Sequence, residues 1–531
     1  MKRRDILKTV SAGAVTLAVP RTRATAATTA TTLRFVPQAD LAVLDPVFTT
    51  AYVTRNHAFM VFDTLYGIDA AFNPQPQMVA GHTVENDGKL WTLTLRDGLK
   101  FHDNQPVLAR DALASIRRWA QRDAFGASLL AATDEMTAPS DKVVQIRLKK
   151  PFALLPLAMG HGSNTMLPVM PERLANTPPA QAVTEMVGSG PYRFVADERV
   201  AGSLAVYRKF DGYVPRPDGQ ASFTAGPKIA HVERVEWHTI PDPATAAAAL
   251  QAGEIDWWEQ PTSDLLPLLR KNKAIAVEIL DRAGNIGFLR LNSLLPPFDN
   301  PAIKHALLGA INQADFMQAV AGDDPAMWRD KVGVFTPGTP LATDAGIEVF
   351  TSPRDYAKVR RDLAAAGYNG EKVTFIAATD FPAINALCEV TADMFGKAGV
   401  NLDYQALDWG TVTQRRNIAG PPAQGGWNAH CTYTAGYDLL SPATNPSLNA
   451  IGRGGFVGWP TDPRLAALRN AWFEAPDLAA QQGLCRDIQL QFWQDPPYVP
   501  LGQFFQATAY RNEVSDIPRG SFTLFWGVRK S

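Results

Sequence analysis

The chain has 531 residues, 46% hydrophobic and 19% charged, a balance that excludes a disordered polyelectrolyte and leaves room for roughly two to four folded domains. Its formal net charge is -1 and no long Lys/Arg block occurs, which excludes a general polyanion binder, so no nucleic-acid partner is expected. Its 40 prolines and 39 glycines predict many turns and long connections.

Residues 1–26, MKRRDILKTVSAGAVTLAVPRTRATA, read as an export leader. The start is basic, Thr9–Val19 is modestly apolar, and small residues surround Ala24 and Ala26. The apolar run is too short for a membrane span. Arg3-Arg4 followed by Asp5-Ile6-Leu7-Lys8 resembles the twin-arginine export signal, so the expected destination is the periplasm. No cysteine stands near the cleavage region, so no lipid anchor is expected.

Leu33–Val36 is the first expected strand, and Arg55 to Tyr66 is expected to be helical. Trp91, Leu93 and Leu95 alternate with Thr92, Thr94 and Arg96, which predicts a half-buried strand. Asp97-Gly98 predicts a tight turn, with Leu99 to Phe101 as the returning strand of a hairpin. A helix over Pro106 to Ala120 and a strand over Val143–Leu148 complete a small α/β unit. Strands are expected at Tyr192–Phe194, Leu204–Phe210, Val232–His238 and Gly287–Asn292, and an alanine-rich helix at Thr245 to Gly253. Asp299-Asn300-Pro301 is expected to cap and start a helix through Ala306 and Leu307. Further along, Asp355 to Ala366 and Ile384 to Lys397 read as helices, and Val373–Ala377 and Val400–Leu407 as strands. In the second helix Leu387, Val390 and Met394 recur on one side. Strand and helix alternate, which gives an α/β fold class with helices covering a mixed sheet.

No dinucleotide or phosphate-loop motif, HExxH or GxSxG is present. Asp323-Asp324 reads as a pair of solvated loop charges. His430 beside Cys431 lacks spaced partners for a metal, so no metal or cofactor is expected. Cys388, Cys431 and Cys485 lie far apart without a CxxC, which is no disulfide framework. Aromatic residues carry more. Trp257, Trp258, Trp409, Trp427, Tyr433, Tyr437, Phe456 and Trp459 either line an organic-ligand cleft or fill a core or domain seam. Residues 425–438 and 454–460 read as aromatic loops.

Several runs taken together resemble the periplasmic oligopeptide/dipeptide/nickel solute-binding proteins of ABC importers, the family-five extracellular binding proteins. They are Asp45-Pro46, WTLTLRDGLKFHDNQPVLARDALASI from Trp91, GSGPYRF at Gly188–Phe194, DNPAIKHALLGAINQADF at Asp299–Phe316, Leu407–Thr411 and Gly426-Trp427. The resemblance covers the chain from about Thr32 to its end. It implies a two-lobed periplasmic-binding-protein fold of the large type, with an additional inserted domain, in which the stretch at Trp91 belongs to that accessory domain. Domain I would comprise residues 32–76, 188–291 and 502–531, domain II residues 77–187, and domain III residues 292–501. The chain would cross between lobes near Leu289 to Asn292 and Pro500 to Gln503.

The same resemblance implies a monomeric receptor that is not an enzyme. It would capture a peptide or peptide-like organic solute between its lobes and deliver it to the membrane permease subunits of an ABC importer. Peptide-binding relatives hold the peptide amino terminus with an aspartate in the loop after the glycine-tryptophan pair. Asp438 is the nearest match, although the usual Asp-Pro-Asp pattern is missing. Trp409, Trp427 and Tyr433 are the leading cleft candidates, with Tyr437, Phe456 and Trp459 serving either loop packing or ligand enclosure. Arg415, with Arg416 beside it, could pair with a ligand carboxylate or form an exposed or inter-lobe charge contact. A receptor for a non-peptide solute or nickel chelate, a secreted hydrolase, and a periplasmic signalling or chaperone protein stay open as alternatives.

Overall fold

The computed structural model describes residues 32–531 except 164 and 352; the export leader expected over residues 1–26 lies outside the described residues. Two large sheets organise the chain. A seven-stranded sheet takes Thr32–Val36 near its centre, between Arg234–His238 and Trp257–Trp258, both parallel to it. Leu204–Lys209 and Tyr192–Phe194 extend one side, Thr508–Arg511 and Ile275–Glu278 the other. This sheet therefore collects strands from three distant stretches of chain. Beneath it Phe35 packs against Trp237, Trp257 and Phe525 with ring centroids 5.0 to 5.4 Å apart.

A six-stranded sheet forms the second lobe, with Asn285–Leu291 between Tyr498–Phe504 and Ala429–Ala435. Asn285–Leu291 is buried along its whole length, as an interior strand covered on both faces must be. Because this strand lies wholly in the second sheet, the chain passes between sheets after Glu278 and before Asn285, ahead of the Leu289–Asn292 crossing expected from the sequence. The return passage lies between Phe504 and Thr508, just beyond the expected Pro500 to Gln503.

A third sheet of four strands takes Val79–Glu85, Leu90–Leu95, Val143–Leu148 and Thr133–Ser140 in that order. Trp91, Leu93 and Leu95 are buried beneath it, as their alternation predicts. The expected hairpin does not form. Both edges of Leu90–Leu95 are already occupied by Val79–Glu85 and Val143–Leu148, so no edge is left for a returning strand. The chain still turns at Gly98, with φ +77°, and Leu99 and Phe101 go into the core instead.

Capping chemistry sets the helix starts. Asp242 accepts from the Thr245 amide ahead of Pro243–Ala252, which stops at Gly253 with φ +76°. Asn300 and Asp355 cap the helices Pro301–Leu308 and Tyr356–Ala365 in the same way. The first helix runs from Tyr52 to Val61, earlier than expected, and Tyr66 already belongs to a short strand. At the end of that helix two backbone segments approach closely: a Cβ on Gly188 would meet the Val61 carbonyl oxygen at 1.9 Å. The neighbouring Gly190 amide donates to the same oxygen at 2.8 Å.

Residues 425–438 correct the loop expectation, since Ala429–Ala435 is a strand paired residue for residue with Asn285–Leu291. Asp45, from the early Asp-Pro motif, is fully buried and receives two hydrogen bonds from the Arg118 guanidinium, the shorter at 2.6 Å. It thereby ties the first lobe to the helix Ala109–Trp119 that covers the four-stranded sheet.

Candidate functional site

Where the two crossings pass between the large sheets, the chain leaves a cavity of about 740 Å³, open solvent at its mouth included. Each part of its wall has a different origin. Tyr52 and Arg55 project from the first helix, one turn apart. Glu259 succeeds the strand Trp257–Trp258, Asp281 stands on the first crossing, Asn285 begins the second-lobe strand that follows it, and Gln506 stands on the second crossing. Tyr433 comes from the second lobe, and Ser521 and Thr523 from the terminal segment.

Arg55 is buried, its guanidinium carbon 4.6 Å from the Tyr52 ring centre and 4.2 Å from that of Phe522. These two rings hold the cation by their negative faces. Its Nη1 donates to the Ser163 carbonyl at 3.2 Å, while Nε has no hydrogen-bond partner. Burial lowers its pKa, countered in part by Tyr52, Asp438, Glu259 and Asp281.

The carboxylates are held by neutral donors. Glu259 accepts from the Gln38 amide at 2.7 Å, Asn56 Nδ2 at 2.8 Å and Thr523 Oγ1 at 2.7 Å. Burial raises its pKa even so. Asp281 accepts from the Ala283 amide at 2.8 Å, and burial pushes it up to about 6 against the Ala283, Gly284, Ser521 and Arg55 contributions. Asn285 Nδ2 donates to Gln506 Oε1 at 3.0 Å, joining the start of the second-lobe strand to the return crossing. Such a wall can orient a polar solute and meet charges of both signs. Among the described residues no group of three His, Cys, Asp or Glu side chains could hold a metal ion.

Of the residues singled out from the sequence, Tyr433 stands in this wall, its ring 5.3 Å from Phe504 and its phenol raised by burial to about 12. Asp438 does not line the cavity and lies behind Tyr52. Its Oδ2 accepts from the Tyr52 hydroxyl at 2.6 Å and from Thr434 Oγ1 at 3.1 Å, while Oδ1 is buried without a partner. Trp257 also lines the cavity, its indole N–H donating to Thr508 Oγ1 at 2.7 Å; the remaining candidates lie outside the wall. Trp427 is fully buried, donates its indole N–H to the Arg416 carbonyl and packs on His430 and Trp459. Arg415 spends its guanidinium on the Gly425 and Gly426 carbonyls and Gln405, each at 2.9 Å. Trp409 stacks near Phe381 and Arg416, and Tyr437 fills a cluster with Phe72, Phe223 and Phe522. Phe456 is exposed over Arg290. Arg55, Glu259 and Asp281 were missed, because Arg55 lies more than 200 positions before the other two and residues so far apart share no local pattern. A signal existed in Trp257-Trp258, which places Glu259 at the end of a buried aromatic strand.

Residues 73–443 match the family model described as "Bacterial extracellular solute-binding proteins, family 5 Middle". A Sinorhizobium fredii protein described as "Probable peptide ABC transporter periplasmic-binding protein y4tO" is 34% identical over 537 aligned positions, covering 100% of both chains. The glutathione-binding protein GsiB of Pectobacterium atrosepticum is 28% identical across 86% of each chain. Among solved structures, the periplasmic binding protein DppA of Helicobacter pylori, in complex with the peptide STSA, superposes with a TM-score of 0.77. That superposition covers 94% of this chain and 98% of the other, at 21% identity, and shows a shared two-lobed fold.

Proposed function

Because the chain belongs to the family-5 bacterial extracellular solute-binding proteins, we propose that it captures a peptide or peptide-like organic solute in the cavity between its lobes and hands it to the permease of an ABC importer. The cavity at the two crossings carries this reading. Its walls come from both lobes, so a bound solute touches both, and contacts made only when the lobes are together shift the population toward the closed form. Tyr52, Arg55, Glu259, Asp281, Asn285 and Tyr433 hold the solute, and Asp438 acts through Tyr52. The relative described as a peptide transporter component supports the peptide class.

The chain works as a monomeric periplasmic receptor, exported by its twin-arginine leader, and not as an enzyme. No helix among the described residues is long and apolar enough to cross a membrane. Domain I comprises residues 32–76, 188–278 and 508–531, the inserted domain II residues 77–187, and domain III residues 285–504.

The test is retention and transport. Protein isolated gently from the native periplasm and examined by native mass spectrometry is expected to carry a stoichiometric peptide, and deletion of its gene to abolish uptake of that peptide. An intact non-peptide as the retained molecule overturns the peptide class. Unchanged uptake after deletion overturns the transport role.

A further inference from the structure

Buried carboxylates in this protein fall into two groups. Those that tie the scaffold together have cations against them: Asp45 has Arg118 at 2.6 Å, Asp63 has Lys228 at 2.7 Å, and Asp256 has both Arg34 at 2.7 Å and Lys530 at 2.8 Å. Asp123 lies 3.2 Å from a His161 ring nitrogen and also accepts from the Gly126 amide and the Thr165 hydroxyl. Asp111 and Asp462 lack such a partner but sit at helix starts, where backbone N–H groups offset their charge. At the inter-lobe cavity the pattern fails. Buried Glu259 and half-buried Asp281 in the wall, and buried Asp438 behind Tyr52, form no ion pair among the described residues. Arg55 is the cation in the wall against three carboxyl groups, two in the wall and one behind it, a formal excess of two negative charges when all three are ionised.

Neutral donors stabilise each ion locally but leave that excess charge in place. Glu259 and Asp281 both remain harder to ionise than free carboxyls despite their donors and Arg55, so the protein itself under-compensates them. When the lobes close and water leaves, the excess must be met by whatever is enclosed. The Arg55 Nε–H, buried without a partner, also leaves a donor for one carboxylate of the same guest.

We infer that the solute of this cavity carries a surplus positive charge: an ammonium or guanidinium group seated toward Asp281 and Glu259, with any carboxylate it bears directed to Arg55. This deepens, and rests on, the reading of the cavity as the solute site. It separates this chain from its glutathione-binding relative, because glutathione is a net anion at neutral pH.

The test is a charge-graded titration by calorimetry at pH 7.5 with Ala-Lys, Ala-Leu, Ala-Glu and glutathione, and with the non-peptides agmatine and glutarate. Ala-Lys is expected to bind at least about tenfold more tightly than Ala-Leu, with Ala-Glu and glutathione weakest. Asp281→Asn and, separately, Glu259→Gln are expected to bring the Ala-Lys to Ala-Leu ratio toward one, a ratio that partial loss of folded protein does not change. Equal or tighter binding of Ala-Leu, Ala-Glu or glutathione overturns the charge inference and leaves the peptide reading standing. Binding of agmatine without any peptide overturns the peptide reading and supports the charge inference. Failure of every cation in the series to bind overturns it.

Discussion

The Tyr52 hydroxyl donates to Asp438 Oδ2 at 2.6 Å and accepts from the Ala435 amide at 3.0 Å, so one side chain of the first helix bonds both ends of a turn that succeeds a strand of the other lobe. Burial and the neighbouring Asp438 raise the Tyr52 pKa, which keeps the phenol protonated and donating. Tyr52→Phe removes a contact available when the lobes are together and leaves Asp438 with Thr434 as its hydrogen-bond donor. The expected result is a larger radius of gyration by small-angle X-ray scattering, and solute affinity weakened about tenfold, as loss of a hydrogen bond to a buried charge implies. An unchanged radius and affinity would remove Tyr52 from closure.

Solute affinity should depend on pH through Asp281. Its pKa of about 6 in the free protein means that near pH 6 the carboxyl is partly protonated. A cation placed beside it lowers that pKa and expels the proton, so affinity rises as pH increases from 5 to 7. The groups acting on Asp281 are the Arg55 guanidinium, the Ser521 hydroxyl and the Ala283 and Gly284 amides. Glu259, which shares the wall, titrates in the same sense. Calorimetry at pH 6 in buffers of different ionisation heat measures the released proton directly. Asp281→Asn should abolish most of the release; a release that persists in full assigns it elsewhere.

Stability against pH depends on three buried histidines. His57 and His430 are held neutral by burial at pKa values of about 3, and His102 at about 4. A histidine whose folded pKa is depressed leaves the unfolded chain binding more protons, so stability is full above about pH 6.5 and is lost as pH falls toward the folded value. Each contributes a slope of at most about 1.4 kcal/mol per pH unit. Asp281 and Glu259, with raised pKa values, act in the opposite direction over part of this window. Three groups outweigh two, and urea midpoints should drop between pH 6.5 and 5. His57→Asn is expected to reduce the slope by about a third of the histidine contribution.

The Asp45–Arg118 pair is a structural test with no part in binding. Both side chains are almost wholly buried, and Asp45 also accepts from the Val47 and Val183 amides. Asp45→Ala strands a guanidinium in the interior and should cost about 3–5 kcal/mol in urea unfolding. Replacing both partners, with Asp45→Ala and Arg118→Met, should recover much of that loss. No recovery in the double variant would assign the damage to the lost amide contacts instead.

Periodicity and capping fix the elements in this chain because they act over a few residues. The alternation at Trp91–Leu95, the Asp242 cap and the Gly253 stop are all read from windows of ten or fewer positions. The family-specific runs at Trp91, Gly188 and Asp299 fix membership for the same reason, since each is a contiguous record of one local structure. Pairing partners are not written locally. The run after Gly98 has the composition of a returning strand, yet both edges beside it were already taken. Conversely, glycines on either side make residues 425–438 look like a loop, yet Ala429–Ala435 becomes an interior strand because Asn285–Leu291 supplies a matching edge.

Apart from Tyr433 and Trp257, the cavity wall belongs to this second category. Trp427 and Arg415 stand beside the family-specific glycine-tryptophan pair and look like ligand contacts in one dimension, but packing spends them on His430, Trp459 and neighbouring carbonyls. Sequence alone determined an α/β binding protein of known family, because those properties rest on composition and short-range order. Tertiary structure alone decided that Arg55, Glu259 and Asp281, each separately unremarked, share one cavity, because convergence of residues from different sheets is set by where the chain crosses between lobes.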